Sequence, residues 1–157
     1  AGSETKEPLI ELDIAQQIRT MITDMGWSER VTYQGPENLR VTTGRATLER
    51  IVSNLTENAL RYGERAEIRV EAAQALVISI DDFGPGIPAN EIDRVFEPFY
   101  RVEASRNLAT GGSGLGLAIV KGLVEQLGGS IALINLDRGG SNPGLRAQVT
   151  LPMEEVL

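Results

Sequence analysis

The segment from Arg45 to Tyr62 constrains the fold more than any other. Its apolar residues Leu48, Ile51, Val52, Leu55, Ala59 and Tyr62 fall on one broad face of a helix turning by about 100° per residue. Gly63 follows as a stop. Such a face must pack on a sheet, and the flanking segments read as the strands of one. Ala66 to Ala72 and Leu76 to Asp82 alternate in polarity and read as an antiparallel hairpin. Val31 to Gln34 and Leu39 to Thr42 read as short strands around a Gly35-Pro36 turn, and Ser130 to Leu136 and Leu145 to Leu151 as the last two. Helical spacing recurs from Glu11 to Met25, stopped by Gly26, and from Gly114 to Leu127, stopped by Gly128-Gly129. A short helix is expected from about Asn90 to Val95, and residues 98 to 113 read as a long polar loop, a length that usually signals function. Helices and strands do not alternate one by one. The expected architecture is therefore a two-layer α+β sandwich rather than a doubly wound sheet.

Composition narrows the chemistry. The chain has 157 residues, one domain's worth, and 41% of them are apolar, enough for a core. Asp and Glu number 22 against 15 Lys and Arg, which argues against a grip on nucleic acid. There is no Cys, so thiolate metal sites and disulfides are excluded. There is no His either, which removes the commonest general base and any phosphohistidine within these residues. No apolar run approaches the roughly 18 residues of a membrane span, and no signal peptide is visible. Ala1-Gly2-Ser3 reads as a cloning remnant, so residues 1–7 are set aside as a tail, 8–152 as the domain and 153–157 as a second tail.

Three segments could carry chemistry. On the long helix, Asn54, Asn58 and Arg61 form a stripe at the edge of the apolar face. Asn is a mediocre helix former, because its amide competes for main-chain hydrogen bonds. A plain solvated face accounts for the stripe; so does a role for the amide oxygens in holding Mg²⁺, with Arg61 adding charge near phosphates. Asp82 shares the strand face of Ile78 and Ile80. A carboxylate pointing inward needs a partner. The glycines that follow, Gly84 and Gly86, would let the main chain approach a ligand such as adenine, whose amine suits a carboxylate. An ordinary Asp turn at a strand end is the simpler reading of that segment alone. Lastly, Gly111-Gly112-Ser113-Gly114-Leu115-Gly116-Leu117 opens a helix, where free N–H groups can meet anions. It lacks the Gly-Lys-Ser/Thr ending of a Walker loop, follows a loop rather than a Rossmann strand, and comes with no His-Arg-Asp or Asp-Phe-Gly.

Four blocks in order resemble the sensor histidine kinases. Asn54-Leu55-x-x-Asn58-Ala59-x-Arg61-Tyr62 looks like their N box, Asp82-x-Gly84-x-Gly86-Ile87 their G1 box, Phe96-Glu97-Pro98-Phe99-Tyr100-Arg101 their F box, and Gly112 to Val120 their G2 box. The resemblance covers about residues 8 to 152. The short stretch Arg61-Tyr62-Gly63 is similar to osmosensor-type kinases, without defining a stimulus. The wider superfamily of gyrase, Hsp90, MutL and the histidine kinases implies the Bergerat fold: a mixed sheet of about five strands with about three helices on one face.

The resemblance implies the following roles. ATP and Mg²⁺ would be the cofactors. Asn58 would be the main metal ligand, with Asn54 helping; Arg61 would contact phosphate and Tyr62 line the adenine side. Asp82 would accept from the adenine amine, with Gly84, Gly86 and Ile87 shaping the base pocket. Ser113, Gly114, Leu115, Gly116 and Leu117 would wrap the phosphates. Arg101 would reach the γ-phosphate as the lid, roughly 98 to 113, closes, with Arg106 a second candidate. Phe96 and Phe99 read as packing residues linking the lid to partner helices, or as simple core. The γ-phosphate would pass to a histidine on a separate dimerisation domain of the same protein, and onward to a response regulator. The parent kinase would be a homodimer anchored in the bacterial inner membrane, with this domain cytoplasmic and not itself touching the membrane. The histidine-bearing box is missing here.

Three rival readings remain. An ATPase of the gyrase, MutL or Hsp90 kind would hydrolyse ATP steadily, but Asn54 stands where those enzymes carry a Glu as base for water attack. A degenerate docking module would bind no nucleotide, against which the intact boxes argue. An anti-sigma serine kinase of the same fold would act on a protein serine; the Phe-Glu-Pro-Phe core weighs against it.

Overall fold

Asp13 decides where the first helix begins. Its carboxylate accepts from the main-chain N–H of Gln16 at 3.1 Å and of Leu39 at 2.9 Å. That side-chain cap satisfies a donor that the first turn would otherwise leave orphaned. Helix α1 consequently runs Ile14–Asp24, and the residues before it form strand β1, Ile10–Asp13. The computed structural model describes residues 7–98 and 116–153. The remaining strands are β2 (Val31–Gln34), β3 (Arg40–Thr43), β4 (Ala66–Ala72), β5 (Ala75–Asp82), β6 (Ser130–Asn135) and β7 (Leu145–Pro152). Helix α2 spans Arg45–Gly63 and α3 spans Gly116–Gln126.

Five strands form the main sheet in the order β2-β4-β5-β7-β6. β2 lies parallel to β4, and every other neighbouring pair is antiparallel. β1 and β3 make a separate antiparallel pair. The register lines apolar residues up in rows: Ile68, Ile80, Ala147 and Leu133 cross four strands, and Val70, Ile78, Val149 and Ile131 form the next row. These rows face the helices. α2 lies on β4 and β5, and α3 on β6. Ile14, Ile18, Leu48, Ile51, Val52, Val120 and Val124 close one core with them. Each such fully buried aliphatic side chain contributes roughly 1.5–3 kcal/mol of transfer free energy. The α+β sandwich with a five-stranded mixed sheet and three helices is thus the architecture expected.

Two local expectations are corrected. Glu11 to Asp13 are strand rather than helix, because Asp13 caps the helix from outside and its neighbours pair with Arg40 to Thr43. Residues 90 to 95 form successive turns, not a regular helix. Their bonds, Glu91 N to Pro88 O, Arg94 N to Glu91 O and Glu97 N to Arg94 O, each span three residues and follow one another without overlap. The overlapping i to i−4 ladder of an α-helix is what they lack.

The helix ends matter for the site. α3 closes as its glycines suggest: Gly128 takes φ +81°, donates to Glu125 O at 2.9 Å, and Gly129 donates to Val124 O at 3.0 Å, a Schellman arrangement. α2 ends more tightly. Glu64 has φ +64°, and Arg65 N donates to Gly63 O at 2.6 Å across it, a γ-turn that non-glycine residues rarely adopt. Arg30 steadies this end by donating to Glu64 O at 3.1 Å and Leu60 O at 3.4 Å. At the other end, Gly44 offers no side-chain cap, and the Glu7 carboxylate accepts from the N–H groups of Ala46 and Thr47 instead. Those main-chain bonds hold Glu7 below the ordinary carboxylate value.

Candidate functional site

The site is built where α2 runs into the loop after β5. Two glycines permit the approach. A Cβ on Gly63 would lie 2.6 Å from Phe83 N, 2.9 Å from Asp82 Cβ and 2.9 Å from Gly84 N. A Cβ on Gly84 would lie 2.6 Å from Tyr62 O. Helix end and loop therefore touch backbone to backbone, and only glycine fits on either side. The contact joins Tyr62 and Gly63, at the end of α2, to Asp82, Phe83 and Gly84.

On α2, Leu55, Thr56, Ala59 and Leu60 are buried, Asn54, Asn58 and Tyr62 are half-buried, and Arg61 is exposed. The Asn pair thus sits at the border of the packed face. Among the described residues no hydrogen bond engages either Asn side chain. Half-buried amides of this kind present hard oxygen donors of the type Mg²⁺ prefers.

Asp82 is 2% exposed, so its carboxylate must be satisfied from within. Oδ1 accepts from Gly84 N at 2.9 Å and from Leu145 N at 2.9 Å. The first is the Asp turn; the second ties it to β7. Two main-chain donors on one oxygen fix the plane of the carboxylate. Ile87, 4% exposed, closes the loop as a core residue.

Asn135, Arg138, Gly144 and Leu145 were missed in the sequence. Asn135 Oδ1 accepts from Ile87 N at 2.9 Å, while its Nδ2 donates to Ile87 O at 2.6 Å. Arg138 Nη1 donates to Asp82 O at 2.8 Å. Gly144 N donates to Gly84 O at 2.9 Å. The Phe83 ring carries two guanidinium carbons near its centroid, Arg138 at 4.1 Å and Arg65 at 4.6 Å, attracted by the ring quadrupole. The β6–β7 connection, which showed no motif, is therefore the buttress of the Asp82 loop. Gly144 was its one sequence signal: it takes φ +92°, and a Cβ there would lie 2.6 Å from Asp82 O. The role of Gly86 also becomes clearer. It takes φ +77°, and a Cβ there would lie 2.5 Å from Asn135 Oδ1, so its missing side chain makes room for Asn135.

Of the other expected residues, Gly116 and Leu117 open α3. Ser113, Gly114 and Leu115 lie outside the described residues, as do Phe99, Arg101 and Arg106. Phe96 is half-buried, and Lys121 of α3 stands 5.8 Å from its ring centroid, so this residue joins the turn segment to α3. A separate groove of about 540 Å³ lies between α1 and α2, lined by Gln17, Met21, Glu49 and Ser53 among others, and includes none of the expected site residues. No group of three acids that could hold a metal by itself occurs among the described residues.

The chain as a whole has known relatives. The family model described as histidine kinase-, DNA gyrase B- and HSP90-like ATPase matches residues 43–155, from the start of α2 through β7. The chain belongs to this ATPase family. Its relatives within the family are sensor histidine kinases. The signal transduction histidine-protein kinase BaeS of Escherichia coli is 35% identical over 132 residues, covering 82% of this chain and 27% of BaeS. The sensor protein CutS of Streptomyces coelicolor is 33% identical over 154 residues, covering 94% of this chain and 36% of CutS. The chain thus spans about a third or less of these relatives. Among solved structures, the mycobacterial sensor histidine kinase MprB superposes with a TM-score of 0.80 at 28% identity, covering 94% of this chain and 100% of that one. The histidine-kinase-type ATPase fold is shared. Among the described residues no helix is long and apolar enough to cross a membrane.

Proposed function

We propose that this domain binds Mg·ATP in the corner between α2 and the Asp82 loop and donates the γ-phosphate to a histidine on a separate dimerisation domain of a two-component sensor kinase. One observation supports the reading: the Gly63–Gly84 contact joins the end of the helix that carries the half-buried Asn58 to the loop that follows the oriented Asp82. Asp82 accepts from the exocyclic amine of adenine, and Ile87 packs beside the base. Asn58, helped by Asn54, offers amide oxygen to the metal, and Arg61 faces the phosphates from the same helix. Mg²⁺, when bound with the nucleotide, supplies neutralising charge at the β- and γ-phosphates. The chain's remaining work is positioning and charge stabilisation, as phosphoryl transfer demands. Gly116 and Leu117 begin the helix whose N-terminus favours anions. Arg101 and Ser113 to Leu115 complete the phosphate side in this reading.

Asn54 favours transfer to histidine over hydrolysis, because an amide cannot take a proton from water as a Glu can. With no histidine among the 157 residues, the acceptor is supplied from outside them. In the whole protein this implies a homodimer anchored in the inner membrane, with this domain in the cytoplasm and a response regulator downstream. The test is a titration with Mg·ATP followed by addition of a histidine-bearing dimerisation domain and labelled ATP. The reading expects binding without appreciable turnover by the domain alone, phosphohistidine on the added partner, and weaker Mg·ATP binding by Asn58→Ala. Equal affinity of Asn58→Ala and wild type in the presence of Mg²⁺ refutes the metal assignment. Steady hydrolysis without a partner refutes the kinase reading.

A further inference from the structure

The segment from Asn135 to Leu145 grips the Asp82 loop at every stage of its course. Arg138 Nη1 donates to Asp82 O at 2.8 Å. Leu145 N donates to Asp82 Oδ1 at 2.9 Å. Gly144 N donates to Gly84 O at 2.9 Å. Asn135 then closes the far end, engaging both main-chain groups of Ile87 at 2.9 Å and 2.6 Å. A primary amide that accepts from one N–H and donates to the C=O of the same residue imitates a strand partner. It does so where the loop has no strand partner of its own, since β5 ends at Asp82. The left-handed φ of +77° at Gly86 and the close approach of Asn135 Oδ1 show that the loop is shaped around this side chain.

We propose that Asn135 and Arg138 are positioning residues for base selection. They hold the two ends of the loop at the separation at which Asp82 meets the 6-amine of a purine while Ile87 packs against the ring, and so favour 6-aminopurine over 6-oxopurine nucleotides. This rests on the adenine reading of Asp82 given above. Neither residue touches the nucleotide; each acts through the main chain that carries Asp82 or Ile87. A loop released at Ile87 keeps its Asp turn but loses a fixed distance from carboxylate to hydrophobic wall. A 6-oxo base gains nothing from that distance, because its oxygen faces a carboxylate that cannot donate.

The experiment is a calorimetric titration of the domain with Mg·ATP and with Mg·ITP, for wild type, Asn135→Ala, Asn135→Asp, Arg138→Ala and Arg138→Lys, with melting temperatures alongside. Wild type is expected to prefer ATP. Asn135→Ala is expected to reduce the ATP/ITP affinity ratio by about tenfold, the scale of a misplaced charge-assisted hydrogen bond, through weaker ATP binding alone. Asn135→Asp should behave the same way, because it sets a carboxylate against Ile87 O. Arg138→Lys, which keeps a donor for Asp82 O, should retain more of the ratio than Arg138→Ala. If the Asn135 variants do not fold, the Arg138 pair reads the same ratio. An unchanged ratio, or equal losses for ATP and ITP, overturns the positioning role and leaves the adenine reading standing. A wild type that binds ATP and ITP equally overturns the adenine reading and this inference with it.

Discussion

Asp81 and Asp82 are neighbours on one strand, yet they do different things. Alternation along β5 sends them to opposite faces of the sheet. Asp81 emerges on the face away from the helices, directly across from Arg146 in the register, and the two form a forked pair at 2.8 Å and 2.9 Å. That pairing also lifts the Arg146 guanidinium further above its ordinary value. Asp82 lies on the helix side, in line with Ile78 and Ile80, and its Oδ1 accepts from the main-chain amides of Gly84 and Leu145. A carboxylate matched to a guanidinium is neutralised in place and serves the sheet. A carboxylate oriented by main-chain N–H groups beside the end of α2 is the one that the proposed function assigns to a ligand. Under the proposed function, the difference teaches that the roles of two identical side chains follow from which face each takes and what kind of donor meets it, more than from residue type.

The largest expected effect that would break this comparison belongs to Asp82→Asn. The amide oxygen can still accept from Gly84 and Leu145, so the fold should persist, while ATP affinity falls by about tenfold to a hundredfold for the loss of one charge-assisted hydrogen bond. Calorimetry checks the affinity and thermal melting the fold; unchanged affinity would put Asp82 in the same structural class as Asp81. Asp81→Asn comes next. It strands the partly buried Arg146 and should cost about 2 kcal/mol of stability in urea unfolding, with nucleotide affinity unchanged. A loss of affinity would erase the distinction from the other direction.

Smaller effects sharpen it. Thr56 is fully buried on α2, two residues from Asn58, and its hydroxyl has no hydrogen-bond partner among the described residues. Thr56→Val removes that unmet group and should stabilise by about 1 kcal/mol without altering ATP binding, showing that packing and binding on the helix side are separable. The smallest effect is that of Glu7, another carboxylate met by main-chain amides but placed at the start of α2. Its folded-state value is depressed below the ordinary 4.5 by the Ala46 and Thr47 bonds. Its contribution is therefore present above that ordinary value and lost as pH falls through the lower folded value. Glu7→Gln should flatten this part of the acid limb of the stability curve, by less than about 1 kcal/mol given its exposure. An identical acid limb in both proteins would show that the cap contributes nothing.

The parts legible in the sequence are those governed by local periodicity. α2 was readable from its 3.6-residue repeat, the β4–β5 hairpin from its alternation, and the inward face of Asp82 from its parity with Ile78 and Ile80. The order of the four blocks was enough to name the family that the comparisons then showed. What stayed hidden depends on contacts between distant segments. β1 could not be separated from α1, because the deciding bond runs from Asp13 to Leu39, 26 residues away. Asn135 and Arg138 looked like ordinary turn residues, because their partners, Ile87 and Asp82, lie 48 and 56 residues back. Gly86 signalled main-chain closeness, but a glycine does not say whether a ligand or the protein itself fills the space it leaves.

The joint engagement of α2 and the Asp82 loop by one nucleotide is tested most directly by an NMR titration with Mg·AMPPNP. The account predicts that the side-chain amides of Asn54 and Asn58 and the main-chain amides of Gly84, Ile87 and Leu145 shift together along a single binding curve. Movement confined to Gln16, Gln17 and Thr20 in the α1–α2 groove, or separate curves for the helix and the loop, would contradict it.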